Sequence, residues 1–361
     1  MKTKKIILNL IFPILILGLF TGCSFGEDKK PTDIEKENPT IIEIQNDITE
    51  IYKKISYGCV GIYATSNTSG STGSGVVYKE VNGLYYVVTN YHVIEGMDKV
   101  RVYRGGSRYL KASVIGGDPK NDIAVLTFSL DLFGGDEVYV NDIFSYDEEI
   151  VSVGQTVLAI GCPLGLENYN SLSTGVVSRI GKGIIQTNAE INPGNSGGGL
   201  FNASGRLIGI NTEKEVYTQS MDENGVIRDI PVEGLGFAIS LDVVKKCITD
   251  IEDKKTAIER PTLGIQVIAV NRYLTTSETS PYVEYLPNTL EEALVVAKVN
   301  EGVAKKAGLK THDVILTVKG NQIVTLNDLS YELNLSLVGE TFEMEVYRPS
   351  TQEKVKIQII L

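Results

Sequence analysis

Residues 192–199 read NPGNSGGG. A serine held between glycines presents its hydroxyl together with backbone N–H groups. Both are needed when an alcohol that is inert at neutral pH must lose a proton and the resulting oxyanion must be stabilised. Ser196 is therefore the candidate nucleophile, and Gly194 and Ser196, with Asn195 between them, are the candidate oxyanion hole. Glycines at 194, 197, 198 and 199 permit backbone conformations and close ligand approach that side chains would block. A glycine-rich surface turn looks the same locally, and a lone GxSxG does not outweigh it. The decision rests on whether partners for the serine lie upstream.

Two such partners exist. TNYHVIEG ends an apolar run and puts His92 at a strand exit, where a lone histidine is ordinarily structural or merely exposed. Asp122 stands in GDPKNDIAVL, where a turn carboxylate would ordinarily cap local N–H groups. From Val60 to about Asn211 the chain is a series of short β-rich runs punctuated by glycine, which predicts a closed or sandwiched all-β domain. The order His92, Asp122, Ser196 across such a domain is that of chymotrypsin-like proteases.

With these residues in view, the chain resembles the HtrA/Deg serine proteases from about residue 41 to the end. The resemblance rests on GSGVV (73–77), VVTNYHVI (87–94), NDIAVL (121–126), VLAIGCPLGL (157–166), IIQTNAEINPGNSGGGLFN (184–202), LIGINT (207–212) and GLGFAIS (234–240). It implies a mainly β chain: a chymotrypsin-like double β-barrel over 41–255, a linker at 256–262 and one α+β PDZ domain over 263–361. It further implies a His92-Asp122-Ser196 triad, a homotrimer, and no cofactor or metal. Ile191 resembles the aliphatic wall of the family's primary substrate pocket, and Ile210 and Asn211 belong to the same expectation. Glu213, Lys214 and Glu215 stand where aliphatics often line that pocket. Cys162 replaces a common asparagine and Pro193 a frequent basic residue.

The C-terminal runs ALVVAKV, VAKKAGL, DVILTVKG, LNDLSYELNL and FEMEVYR resemble one PDZ domain, with Leu263-Gly264-Ile265 at the family's carboxylate-binding loop. PDZ domains add a peptide as a strand to a sheet edge and hold its terminal carboxylate in backbone donors. Leu326, Leu329 and Leu333 predict the apolar face of a helix capped by Thr325. His312 reads as an exposed turn residue, and residues 271–290 as a polar insertion.

With 361 residues and 42% hydrophobic content the chain can bury more than one core. A formal charge of −11 sets its field against nucleic acid. Residues 1–22 combine Lys2, Lys4 and Lys5 with an interrupted apolar run, the pattern of an export signal. The run is short for a membrane span, which needs about 20 residues. FTGC, Phe20 to Cys23, resembles a bacterial lipobox whose cysteine carries lipid, although Phe20 replaces the usual leucine. This implies an anchor on the outer face of the cytoplasmic membrane, with simple secretion as the rival. Residues 23–40 are charged and poor in apolar side chains, which suits a flexible tether.

Isoleucines at 41, 44, 48, 51 and 55 predict an amphipathic helix docked on its neighbour, or else a short coiled-coil seam. A second helix is expected over Leu241–Ile251, with Ser240 as its cap and Cys247 as a small buried hydrophobe. Cys59, Cys162 and Cys247 allow at most one disulfide and have no metal-ligand spacing.

The function these features predict is cell-envelope proteolysis of unfolded or exported polypeptides, with C-terminal peptides bound at the PDZ domain. The alternatives are a chaperone or peptide-binding adaptor with a resting protease domain, and a purely structural envelope lipoprotein.

Overall fold

β-Branched and aromatic residues concentrate in short runs, and these pair into two closed barrels. The computed structural model describes residues 41–106, 109–130, 138–146, 151–212, 217–221, 227–231, 234–276, 286 and 292–361. The signal, tether and Cys23 expectations, and Glu213, Lys214 and Glu215, lie outside the described residues.

The first barrel is built from β1 (Cys59–Thr65), β2 (Gly70–Val81), β3 (Leu84–Thr89), β4 (Lys99–Tyr103), β5 (Tyr109–Asp118) and β6 (Ile123–Ser129), in the order β1-β2-β3-β6-β5-β4. Antiparallel pairing of β1 with β4 closes it. Val60, Ile62, Val77, Val87, Val102, Leu126 and Phe128 fill its interior. The second barrel takes β7 (Thr156–Gly161), β8 (Ser171–Gly181), β9 (Ile184–Thr187), β10 (Gly199–Asn202) and β11 (Leu207–Thr212). A two-stranded ribbon, β12 (Tyr217–Met221) with β13 (Ile227–Pro231), precedes its last strand, β14 (Gly236–Ser240). Closure removes the unpaired edges that open sheets must protect.

A separate apolar cluster fills the seam between the barrels, and both helices of this half of the chain pack on it. Helix α1 (Ile41–Ile55) sets Ile48, Ile51 and Ile55 there, so docking rather than a coiled coil accounts for its isoleucine spacing. Helix α2 (Leu241–Lys254) contributes Val244, Cys247, Ile248 and Ile251. Ser240 stands at its N-cap position, but its hydroxyl bonds the Asp242 carboxylate instead of accepting a backbone N–H. Cys59, Cys162 and Cys247 are free thiols, all buried, and burial pushes each of them upward in pKa. Cys247 is more than a hydrophobe, because its thiol donates to Asp118 Oδ2 at 3.3 Å.

The C-terminal unit is a sheet ordered β15 (Ile265–Ala269), β16 (Leu294–Val299), β17 (Val314–Val318), β19 (Thr341–Arg348), β20 (Glu353–Ile360), with β18 (Asn321–Gln322) paired to β17. Helices α3 (Val270–Thr276), α4 (Val303–Lys306) and α5 (Leu326–Asn334) accompany it. Thr325 caps α5 as expected, in a reciprocal capping box with Asp328. Partial burial opposes the charge of Asp328, but the hydrogen bonds from Thr325 outweigh it and hold the carboxyl below its ordinary range. The insertion expected to be polar begins with α3, whose Tyr273 is buried and bonds His312 Nδ1 at 2.7 Å. His312 is therefore half-buried and partnered, not an exposed turn residue.

Residues 256–262 join the two halves but do not form a free tether. Ile258 is buried, and its N–H donates to Gly117 O at 2.7 Å. The fully buried Arg260 side chain pairs with Asp118 at 2.7 Å and Asp250 at 2.8 Å, and donates to Ser336 O on the PDZ side. Burial works against the guanidinium charge, and the hydrogen bond and charge of Asp118 overcome it, so its pKa is raised. From α5 and the turn after it, Tyr331, Leu335 and Leu337 pack against the protease core, and Asn121 Nδ2 bonds Asn334 O at 2.8 Å. Arg260→Ala takes the guanidinium from the buried Asp118 carboxylate and leaves Asp250 with Lys246, which costs about 3–5 kcal/mol. Urea unfolding is expected to show this loss. An unchanged midpoint would mean that the carboxylates find other partners.

Candidate active site

Three loops converge where the barrels meet. At the exit of β3, Asn90 is buried and donates Nδ2 to Asp122 O at 2.9 Å. The short 3-10 turn Tyr91–Val93 follows and, with Val93 sunk in the first barrel, leaves the His92 ring partly exposed. Asp122 sits ahead of β6 with φ of +55°, a left-handed conformation that asparagine and aspartate tolerate best among side-chain-bearing residues. Its carboxylate accepts the His92 N–H at 2.9 Å and stands 3.0 and 2.8 Å from His92 Nδ1. Thr212 Oγ1 donates to the same carboxylate at 3.2 Å. The imidazole is thus fixed in orientation by one carboxylate that is itself held by a threonine.

The Ser196 loop is set by backbone geometry. Pro193 in second place, Gly194 with φ of +96° in third, and a 2.9 Å bond from Asn195 N–H to Asn192 O make residues 192–195 the pattern of a type II turn. The Pro193 carbonyl accepts the Leu164 N–H at 2.6 Å. Because C=O and N–H point opposite ways across a trans peptide, this bond turns the Gly194 N–H away from Leu164. Asn195, between the two candidate donors, closes the turn with its N–H and bonds Glu190 O through Nδ2, so it supports the loop. Gly197 has φ of +85°, and a Cβ there would lie 2.1 Å from Ser74 O, so the residue after the serine must be glycine. Ser196 itself is 2% exposed, beside the ends of β2 and β3 where His92 stands.

Ile191 is half-buried against Gly236 at the rim of the second barrel. Ile210 and Asn211 do not line an open pocket as expected. Ile210 belongs to the inter-barrel core, and Asn211 is fully buried, its Nδ2 bonding Gly199 O at 3.0 Å. The reason is that β11 is covered on both faces, by the barrel interior and by α2. On the PDZ side, Leu263 is buried and Gly264 leads into β15, with Gly264 O accepting Asn300 N–H at 2.8 Å.

Comparison with known proteins agrees with this architecture. Residues 73–210 match the trypsin-like peptidase domain and residues 261–359 the PDZ domain. The chain is 32% identical to the Serine protease Do-like HtrA of Lactococcus lactis subsp. lactis, covering 88% of this chain and 84% of that one. It is 30% identical to the protein of the same description from Bacillus subtilis, over 90% of this chain and 71% of that one. Among solved structures, the HtrA-type protease AlgW with tripeptide superposes with a TM-score of 0.64 at 28% identity, covering 86% of this chain and 95% of that one. The chain belongs to the HtrA family of serine proteases.

As an HtrA-family member it is a serine endopeptidase. A further relative, the probable periplasmic serine endoprotease DegP-like of Hahella chejuensis, is 33% identical over 80% of this chain and 57% of that one. Two residues of this HtrA site escaped the sequence reading. Thr212 was visible only as the end of LIGINT. Ser74, inside the quoted GSGVV, carries more: its Oγ donates to Gly194 O at 2.7 Å and accepts Cys162 N–H at 2.9 Å. Its N–H donates to Ser196 O at 2.8 Å, and its carbonyl accepts Thr89 Oγ1 at 2.6 Å. Ser74→Ala leaves a buried N–H and C=O without this partner, at about 1–3 kcal/mol. With a fluorogenic peptide, kcat/KM is expected to fall about tenfold or more as the turn loosens. Destabilisation with unchanged kcat/KM would show that Ser74 serves the fold alone.

Proposed function

We propose that the enzyme hydrolyses peptide bonds through an acyl-enzyme, with Ser196 as nucleophile, His92 as general base and then acid, and Asp122 orienting the imidazole. The observation that carries this reading is the Asp122 carboxylate gripping both His92 N–H and Nδ1, since that grip sets the ring tautomer and supports the imidazolium as it forms. The oxyanion is received by the N–H groups of Gly194 and Ser196. The type II turn supports this assignment, because the bond from Leu164 to Pro193 O fixes how the Gly194 amide is turned before substrate arrives. Preorganised donors of this kind act without reorganisation in the reaction step.

Substrates are unfolded or exported polypeptides, and the PDZ domain receives C-terminal peptides at Leu263-Gly264-Ile265. The relatives' names and the peptide-bearing AlgW structures support this assignment. The active assembly is a homotrimer, and Cys23 carries lipid that holds the chain on the outer face of the membrane; both rest on the family resemblance and on FTGC.

Ser196→Ala, His92→Ala and Asp122→Asn are each expected to abolish most turnover of an unfolded model protein, leaving ~10³ to 10⁴-fold over water. Near-wild-type turnover by purified Ser196→Ala would end the triad reading. For the anchor, intact mass of membrane-extracted protein is expected to begin at Cys23 and include acyl chains. A soluble mature form cut elsewhere without lipid would refute it.

A further inference from the structure

The PDZ groove between β15 and α5 is a 190 Å³ cavity whose walls include Leu263, Gly264, Ile265 and the exposed Leu326. One lining residue comes from the other domain: Lys120, from the protease loop that ends in Asp122. Its position along the groove is fixed on both sides. The preceding Asp118 holds Arg260, three residues before Leu263, and the following Asn121 bonds Asn334 O at the C-terminal end of α5. Lys120 therefore stands at the end of the groove where the carboxylate loop begins. Its backbone N–H is taken by Asp118 Oδ1, but among the described residues no carboxylate pairs with its ammonium, and the side chain is exposed. The N–H groups of Leu263 and Gly264 likewise have no acceptor among the described residues.

Two backbone donors and an ammonium, carried by residues that line one apolar trough, are complementary to a single group, a carboxylate at the end of an apolar peptide. We propose that Lys120 is a carboxylate-recognising residue of the PDZ groove, so that the peptide site is a composite of both domains. The proposal rests on the reading of that groove as a peptide site. An ammonium and a carboxylate in a partly exposed setting attract modestly, so Lys120 sets specificity for a free C-terminus while the apolar trough supplies most of the affinity.

The test uses the mature full-length chain in a Ser196→Ala background, which prevents cleavage of the probe. Fluorescence anisotropy is measured with N-terminally labelled decapeptides ending in valine, leucine or phenylalanine, each as the free acid and as the C-terminal amide. Amidation is expected to weaken binding to the Lys120-bearing protein about fivefold more than binding to Lys120→Met, with Lys120→Arg retaining most of the discrimination. The extra penalty is expected to shrink as salt is raised. Equal amidation penalties for wild type and Lys120→Met would overturn the role of Lys120 while leaving the groove a peptide site. Absence of binding by every peptide to every variant would overturn both.

Discussion

Ser74 is the residue through which the first barrel grips the catalytic loop of the second. It is fully buried and uses its N–H, its carbonyl and both capacities of its hydroxyl, on Ser196 O, Thr89 Oγ1, Gly194 O and Cys162 N–H. Each of these groups would carry a desolvation penalty if left alone, so the four bonds form or fail as a set. The consequence reaches Ser196 from two sides. Its own carbonyl is tied to the Ser74 N–H in β2, and the carbonyl two residues before it is tied to the Ser74 hydroxyl. The turn of residues 192–195 is therefore held between barrels, not merely displayed by one of them.

A second buried polar node holds the PDZ half. Arg260, Asp118 and Asp250 lie in the seam with Cys247, and each carboxylate faces the guanidinium, Asp250 pairing with Lys246 as well and Asp118 accepting from Asn121. Domains joined by a charged linker move freely unless their interface restrains them. Here Arg260 bonds both domains, and Tyr331 of α5 reaches the Asp242 carboxylate while Lys182 lies near Asp328 and Glu332. The PDZ half is docked both through these polar contacts and through Tyr331, Leu335 and Leu337, which pack on the protease core.

Much of this was legible in the sequence because it depends on local pattern. The strand runs, the isoleucine spacing of α1, the Thr325 cap and the NPGNSGGG loop each announce themselves within a few residues. What stayed hidden depends on partners distant in the chain. The roles of Ser74 are bonds to backbone atoms, which no side-chain pattern encodes. Arg260 sits in a charged, proline-bearing segment that looks solvated until Asp118 and Asp250 are folded around it. Ile210 and Asn211 entered the pocket expectation through resemblance alone, and the burial of both follows from the packing of α2 on β11, which the local sequence does not encode.

The Arg260 node and the support of His92 meet in a five-residue stretch. Asp118 anchors the connecting segment, Lys120 lines the PDZ groove, Asn121 caps α5 and Asp122 orients His92. The PDZ groove and the support of the imidazole therefore share one short backbone segment. The apolar seam and the Ser74 clamp hold the two barrels and the serine loop as one body, so the same packing that fixes Ser196 also sets it against His92 and Asp122 at the ends of first-barrel strands.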